Sequence, residues 1–261
     1  MINIKKFFQY LGLFGVCCLS FYYTEKVALY VKNMNPLMQT IKSMQESKNT
    51  SPINSTIYDN LYIIPGLDGQ EINLDESFYN MQESKTYNES KLVFNSIKPQ
   101  ISLESHKDKI IIRGNKMKNS VSLIFESFNN LARFLYQNNY LVNVLITDEE
   151  YNPNYEMINN SNLSKTYENI ENYLNKNKIN KNLCLVKDNK ISNLCQDKYL
   201  FKISLTISHS NISSTINKIK SGEIILIKDS LTLSELNLLI NQIKYQNLNI
   251  VPLSELIAES K

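Results

Sequence analysis

The sequence predicts an α/β domain behind an apolar N-terminal helix, and three observations carry that expectation. From about residue 113 onward, short apolar runs alternate with amphipathic stretches, strand after helix. Near the start, two lysines precede a long apolar run. Charged residues make up 20% and hydrophobic residues 43%, the proportions of a chain that buries a core rather than a disordered one. The net charge of +3 is small and no basic stripe interleaves with aromatics, which excludes nucleic acid as a partner.

Lys5 and Lys6 precede the run Phe7 to Tyr23, which covers about 26 Å as a helix, close to the hydrocarbon thickness. Residues 1–25 are therefore expected to form a transmembrane anchor. Basic residues before the run, and few after it, place the N-terminus in the cytoplasm and the rest outside. A cleaved signal peptide is the rival reading, but no small-x-small cleavage site follows. A buried N-terminal core helix is a further one. Residues 26–60 read as a stalk, a mixed helical pattern giving way to a polar loop around Pro52. Residues 61–112 read as an extension with short strands. There Asp75 is the expected N-cap of a short helix through Met81, and KLVFNSIKP and KIIIRGN read as strands. Asp68, Glu71 and Asp75 lack the spacing of a calcium loop, so turn and cap chemistry accounts for them.

In residues 113–261, VSLIF (121–125) reads as a buried strand, FNNLARFLYQNN (128–139) as an amphipathic helix and YLVNVLIT (140–147) as the next strand. A helix over 163–177 follows. Then come strands over 182–186 and 199–207, a helix over 212–222 closed by Gly222, and a strand over 223–229. A helix over 233–247 and a strand over 248–253 finish the pattern. Such alternation implies a mostly parallel sheet with helices packed outside it, either open or closed into a barrel.

GNKMKNSVSLIFES (114–127) resembles the opening strand of the polysaccharide deacetylase (NodB homology) domain, of the type V-A-L-T-F-D-D. SGEIILIKDSLTLSELNLLINQIKYQNLNIVPLSELIAE (221–259) is similar to that family's last stretch. There a strand ends L-x-H-D, a helix follows, and a strand and an L-S-E-L helix finish the chain. YEMINNSNLSKTYENI (155–170) lies where the family has E-I-x-N-H-(S/T)-x-x-H. The resemblance covers roughly residues 110–259 and implies a distorted (β/α) barrel. IPGLDGQEINLDESFYNM resembles, more weakly, the region ahead of this domain in envelope-anchored members.

Deacetylation of an N-acetyl sugar uses a divalent metal to polarise the amide carbonyl and activate water. In the family an Asp and two His bind that metal, an adjacent Asp is the base and a late His the acid. The resemblance puts Glu126 at the base position and Ser127 at the metal-binding Asp. Asn160 and Ser164 stand at the two His, and Lys228 at the late His. Ser and Asn offer no anionic or imidazole donor, so the pattern implies no metal and no cofactor. Glu126 either remains as a base or forms a structural ion pair with Lys228 across the former metal cleft; an acid–lysine pair lacks a Lewis acid. The two histidines, His106 and His209, read as surface or hydrogen-bonded side chains.

Cys184 and Cys195 flank VKDNKISNL. Outside the cell they are expected to form a disulfide worth about 3 kcal/mol in the chain-entropy model, and in a reducing compartment two thiols. Neither belongs to a zinc motif. The sequence reading is thus a deacetylase-like pseudoenzyme at the cell membrane that binds envelope glycan or an envelope protein. The alternatives are an active hydrolase of C–N bonds in N-acetylated polysaccharide using Glu126, and a purely structural envelope protein acting through residues 24–112.

Overall fold

The computed structural model describes residues 4–145, 155–160, 183–186, 201–205, 207–208, 216 and 219–260, with only the backbone of 4–9, 159–160 and 207–208. The expected helix over 163–177, most of that over 212–222, and Ser164, Cys195 and His209 lie outside the described residues. In chain order the first elements are α1 (Ile4–Met34), α2 (Pro36–Ser43), α3 (Gln45–Lys48), β1 (Thr56–Tyr58), β2 (Tyr62–Ile64), β3 (Gly69–Ile72), α4 (Leu74–Gln82) and β4 (Phe94–Ile97). Then follow β5 (Ile110–Ile111), β6 (Ser120–Phe125), α5 (Asn130–Gln137), β7 (Asn143–Leu145), β8 (Glu156–Asn160) and β9 (Leu183–Leu185). The last are β10 (Phe201–Ile203), β11 (Ile207–Ser208), β12 (Ile224–Ile227), α6 (Leu233–Tyr245), β13 (Asn249–Ile250) and α7 (Leu253–Ile257).

The chain divides into two compact units, one of residues 1–51 and 70–97, the other of 52–69 and 98–261. Residues 52–69 and 98–112, which the sequence reading sets apart from 113–261, thus fall in one unit with them.

In the first unit, the side chains of α1 from Tyr10 to Tyr23 include exposed Leu11, Leu13, Phe14, Val16, Leu19 and Phe21. Among the described residues no helix is long and apolar enough to cross a membrane, so the expected transmembrane helix is not found. The apolar run from Phe7 to Tyr23 meets Thr24-Glu25-Lys26 before it reaches the roughly 20 residues a span needs. α2 starts where Asn35 Oδ1 accepts the Leu37 N–H at 2.9 Å, with Pro36 at the first helical position. It buries Leu37, Met38 and Ile41 against Ile72, Phe78 and Met81. α4 is capped by Asn73, whose Oδ1 accepts the Glu76 N–H at 3.1 Å, and not by Asp75. Asp75 is the second residue of the helix, where a carboxylate faces the positive helix end, and it pairs with Lys32 at 2.7 Å.

The second unit is built on one sheet, in the order β1-β2-β5-β10-β9-β8-β7-β6-β12-β11, with β13 also paired to β6. Apart from the β1–β2 hairpin the pairs are parallel. The single strand expected over 199–207 is two strands, β10 and β11. They are four residues apart in the chain but six strand steps apart in the sheet. Flat, six steps of about 4.8 Å would separate them by roughly 29 Å, whereas four residues reach at most about 14 Å. The sheet is therefore strongly curled.

Side chains alternate across the sheet with period two. Val121, Leu123, Phe125, Ile225 and Ile227 face the helices and pack with Leu135 of α5 and Leu236, Leu239, Ile240 and Ile243 of α6. Ile124, Ile224, Leu226, Leu145, Ile158 and Ile203 face inward and meet Leu253 and Leu256 of α7. Buried Asn143 fixes one end of this interior. Its amide donates to Ser122 Oγ and Leu123 O, both at 2.8 Å, and its carbonyl accepts the Leu253 N–H at 2.8 Å. Gly222, just ahead of β12, has φ +88°, and a Cβ there would lie 2.4 Å from Gly114 O, so only glycine fits.

Candidate functional site

The residues singled out by the sequence gather at the carboxyl ends of the strands, where open parallel sheets place ligand sites. Phe125 of β6 pairs with Ile227 of β12, so the next residues, Glu126 and Lys228, lie side by side. The ladder runs on into this pair, because Glu126 N–H donates to Ile227 O at 3.1 Å. Phe125 and Ile227 face the helices, so by the same period Glu126 and Lys228 continue the inward face of Ile124 and Leu226. Both are half-buried. Asn160 ends β8, which is separated from β6 by β7 alone. The registers of β6 on β7 and β7 on β8 put Phe125 level with Met157, so Asn160 sits two residues beyond the level of Glu126. Ser164 lies outside the described residues.

Ser127 and Asp229 take the other side of the strand ends. The Ser127 hydroxyl lies 2.8 Å from each carboxylate oxygen of Asp229. The Asn129 amide donates to Asp229 Oδ1 at 2.7 Å. Asn129 is also the N-cap of α5, its Oδ1 accepting the Leu131 and Ala132 N–H groups at 2.9 and 3.0 Å. Asp229 thus joins the ends of β6 and β12 to the start of α5, and its own N–H points at Glu126 Oε2 at 3.4 Å. Sequence reasoning did not single out Asp229 or Asn129. The signals were present: an acid ending the strand expected over 223–229 and an Asn at the start of the helix expected over 128–139.

The ion pair expected between Glu126 and Lys228 does not form among the described residues. The two are partly open to water, where such a pair gains little over separate hydration. No group of three or more His, Cys, Asp or Glu able to hold a metal ion occurs among the described residues. Among the described residues the donor set at the strand ends does not fit the ion the family resemblance implies: Ser127 and Asn129 direct their donors at Asp229, and Lys228 adds a positive charge. His106, the one described histidine, bonds through Nδ1 with Ser102 O at 2.9 Å and Ser105 Oγ at 3.1 Å. Cys184 is buried in β9 and disulfide-bonded, while Cys195 lies outside the described residues.

No family model matches the chain. A 90-residue stretch is 28% identical to YlxY, an uncharacterized protein of Bacillus subtilis (strain 168), and covers 34% of this chain and 28% of that protein's length. The fold aligns with the crystal structure of a CE4 family pseudoenzyme from Bacillus anthracis at a TM-score of 0.61 and 18% identity, covering 86% of this chain and 96% of that one. A mutant of that pseudoenzyme with restored enzymatic activity aligns at 0.61 and 18% identity, over 86% of this chain and 99% of the mutant. The chain therefore has the α/β fold of the CE4 polysaccharide deacetylases, in a divergent form.

Proposed function

We propose that this chain is a deacetylase-like pseudoenzyme that binds cell-envelope glycan at the carboxyl ends of its strands and performs no metal-dependent hydrolysis. The curled parallel sheet is read as a distorted (β/α) barrel, its inward-facing mouth as the former substrate groove. The observation that carries this reading is the Asp229 bridge. A carboxylate beside the former metal position engages Ser127 and Asn129, and no other acid or imidazole completes a ligand set among the described residues. A CE4 relative in fold is itself described as a pseudoenzyme, which supports the same reading for this chain. We further propose attachment to the cell membrane through α1, because the apolar side chains between Tyr10 and Tyr23 are exposed on every side.

One experiment on the purified full chain in detergent tests the catalytic part. Zinc or cobalt content is measured after dialysis, together with acetate release from N-acetylated oligosaccharide. The expected result is no stoichiometric metal and no acetate, with soluble peptidoglycan fragments still bound. Acetate release abolished by Glu126→Gln would instead establish an active hydrolase. Capture of an envelope protein without glycan binding would move the function to protein interaction.

A further inference from the structure

We propose that α1 pairs in parallel with the α1 of a second copy, each helix lying in the groove between α1 and α4 of the other. This goes beyond the glycan-binding reading and does not depend on it. The groove belongs to the first unit and has a volume of about 810 Å³. Its walls are one face of each helix: Thr24, Val27, Ala28 and Val31 of α1, and Phe78 and Tyr79 of α4. Positions three, four and seven residues apart are how one helix face receives another helix. Val27, Val31 and Tyr79 are 60, 63 and 76% exposed, so the packing of the first unit leaves these walls open.

The same face of α1 runs on toward the N-terminus. Steps of three and four residues lead back from Thr24 through Ser20 and Phe21 to Cys17, then through Leu13 and Phe14 to Tyr10. Tyr10, Leu13, Phe14 and Phe21 are between 63 and 72% exposed. No position of this seam is charged, and Glu25 and Lys26, which end the apolar run, fall outside it. A lipid tail covers an apolar helix on every side and stops where charge begins. The seam instead keeps its side and its spacing past Glu25 to Val31, as a helix partner requires. Lys32 and Asp75 neutralise one another at the rim, so the groove suits a neutral helix face. α1 offers such a face, and in a parallel two-fold pair each seam residue meets its own counterpart. Covering the exposed seam side chains and Tyr79 would bury roughly 700 Å² per copy, close to the roughly 800 Å² per partner of a stable interface.

Two free, exposed thiols in α1 provide the test. Cys17 lies on the seam, and Cys18, about 100° round the helix, lies off it. A disulfide forms only where two Cα atoms come within about 7 Å. The purified full chain in mild detergent is treated with copper phenanthroline in air, which removes two electrons and two protons from a pair of close thiols. The product is read on a non-reducing gel. A disulfide-linked dimer is expected from the parent and from Cys18→Ser, and its loss from Cys17→Ser. Val31→Asp places a charge on the seam within the groove and is expected to abolish both the cross-link and the dimer mass in sedimentation equilibrium without oxidant. Val31 is exposed in the single chain, so this variant keeps its fold, which an unchanged thermal midpoint would show. A parent that is monomeric in both measurements overturns the pairing. So does a cross-link that persists in Cys17→Ser, or a dimer that survives Val31→Asp. A dimer that sediments without a Cys17 cross-link overturns the parallel seam.

Discussion

Asparagine does at single positions what glycine does in most chains. The sequence holds only six glycines. Asn60, Asn119, Asn139 and Asn247 all adopt positive φ, between 50° and 63°. Asn139 and Asn247 do so just past the ends of α5 and α6, where a left-handed residue stops a helix and the short amide side chain tolerates the backbone. At the same scale Glu223, buried directly before β12, accepts the Lys220 N–H at 3.0 Å. Burial pushes its carboxyl up from the ordinary 4.5, against the opposing pull of that bond and of Arg113 and Lys220. The folded chain therefore holds this proton more tightly than the unfolded chain does. Its contribution is fully present below pH 4.5 and is lost as pH rises through the higher folded value. Glu223→Gln is expected to flatten that decline and to raise the thermal midpoint at pH 7. A lower midpoint than the parent's at pH 7 would show that the charged form is the favoured one.

Elements differ in how plainly the sequence announced them. α6 carries its apolar residues at helical spacing, and Thr232 with Glu235 forms a capping box. Thr232 Oγ1 accepts the Glu235 N–H at 3.3 Å and Glu235 Oε2 accepts the Thr232 N–H at 2.9 Å. Thr232→Ala is expected to cost about 1 kcal/mol, seen as a lower urea midpoint at unchanged slope. β12 was equally legible as an unbroken apolar run of strand length, and β6 as one interrupted only by Ser122. β8 was not read as a strand, because EMINN has neither alternation nor an apolar run, and its place is set by pairing with β7 and β9. Splitting residues 199–207 into β10 and β11 was also beyond local pattern, since only sheet order distinguishes one strand from two. For the site, the sequence brought Glu126, Ser127 and Lys228 to the strand ends. It did not reveal that Ser127 would turn toward α5, because that depends on Asp229 and Asn129, which lie on different elements.

For the molecule as a whole, the important fact is that the sheet does not begin at residue 113. β1, β2 and β5 extend it, and β5 pairs β10 through Ile110–Lys202 and Ile111–Ile203. Glu259 adds a tie from the far end of the sequence, its Oε1 accepting from Ser55 Oγ at 2.8 Å, Gly66 N–H at 3.2 Å and Leu103 N–H at 2.8 Å. A fragment of residues 113–261 is therefore expected to lack a cooperative transition and to be cleaved rapidly by protease. A sharp two-state melt from that fragment would show that the extension is dispensable.

The place of β6 has a further consequence for how the chain is made. β6 is flanked by β7, β12 and β13, and the last two are about 100 and 125 residues downstream of it. At roughly 5–20 residues per second, the ribosome needs on the order of 5–20 s after β6 emerges to deliver β12. During that interval VSLIF presents an unsatisfied apolar edge, the kind of segment that pairs with other nascent chains. Synthesis of this protein thus includes an exposure window set by topology, and a chaperone bound there would act on β6 before β12 is made.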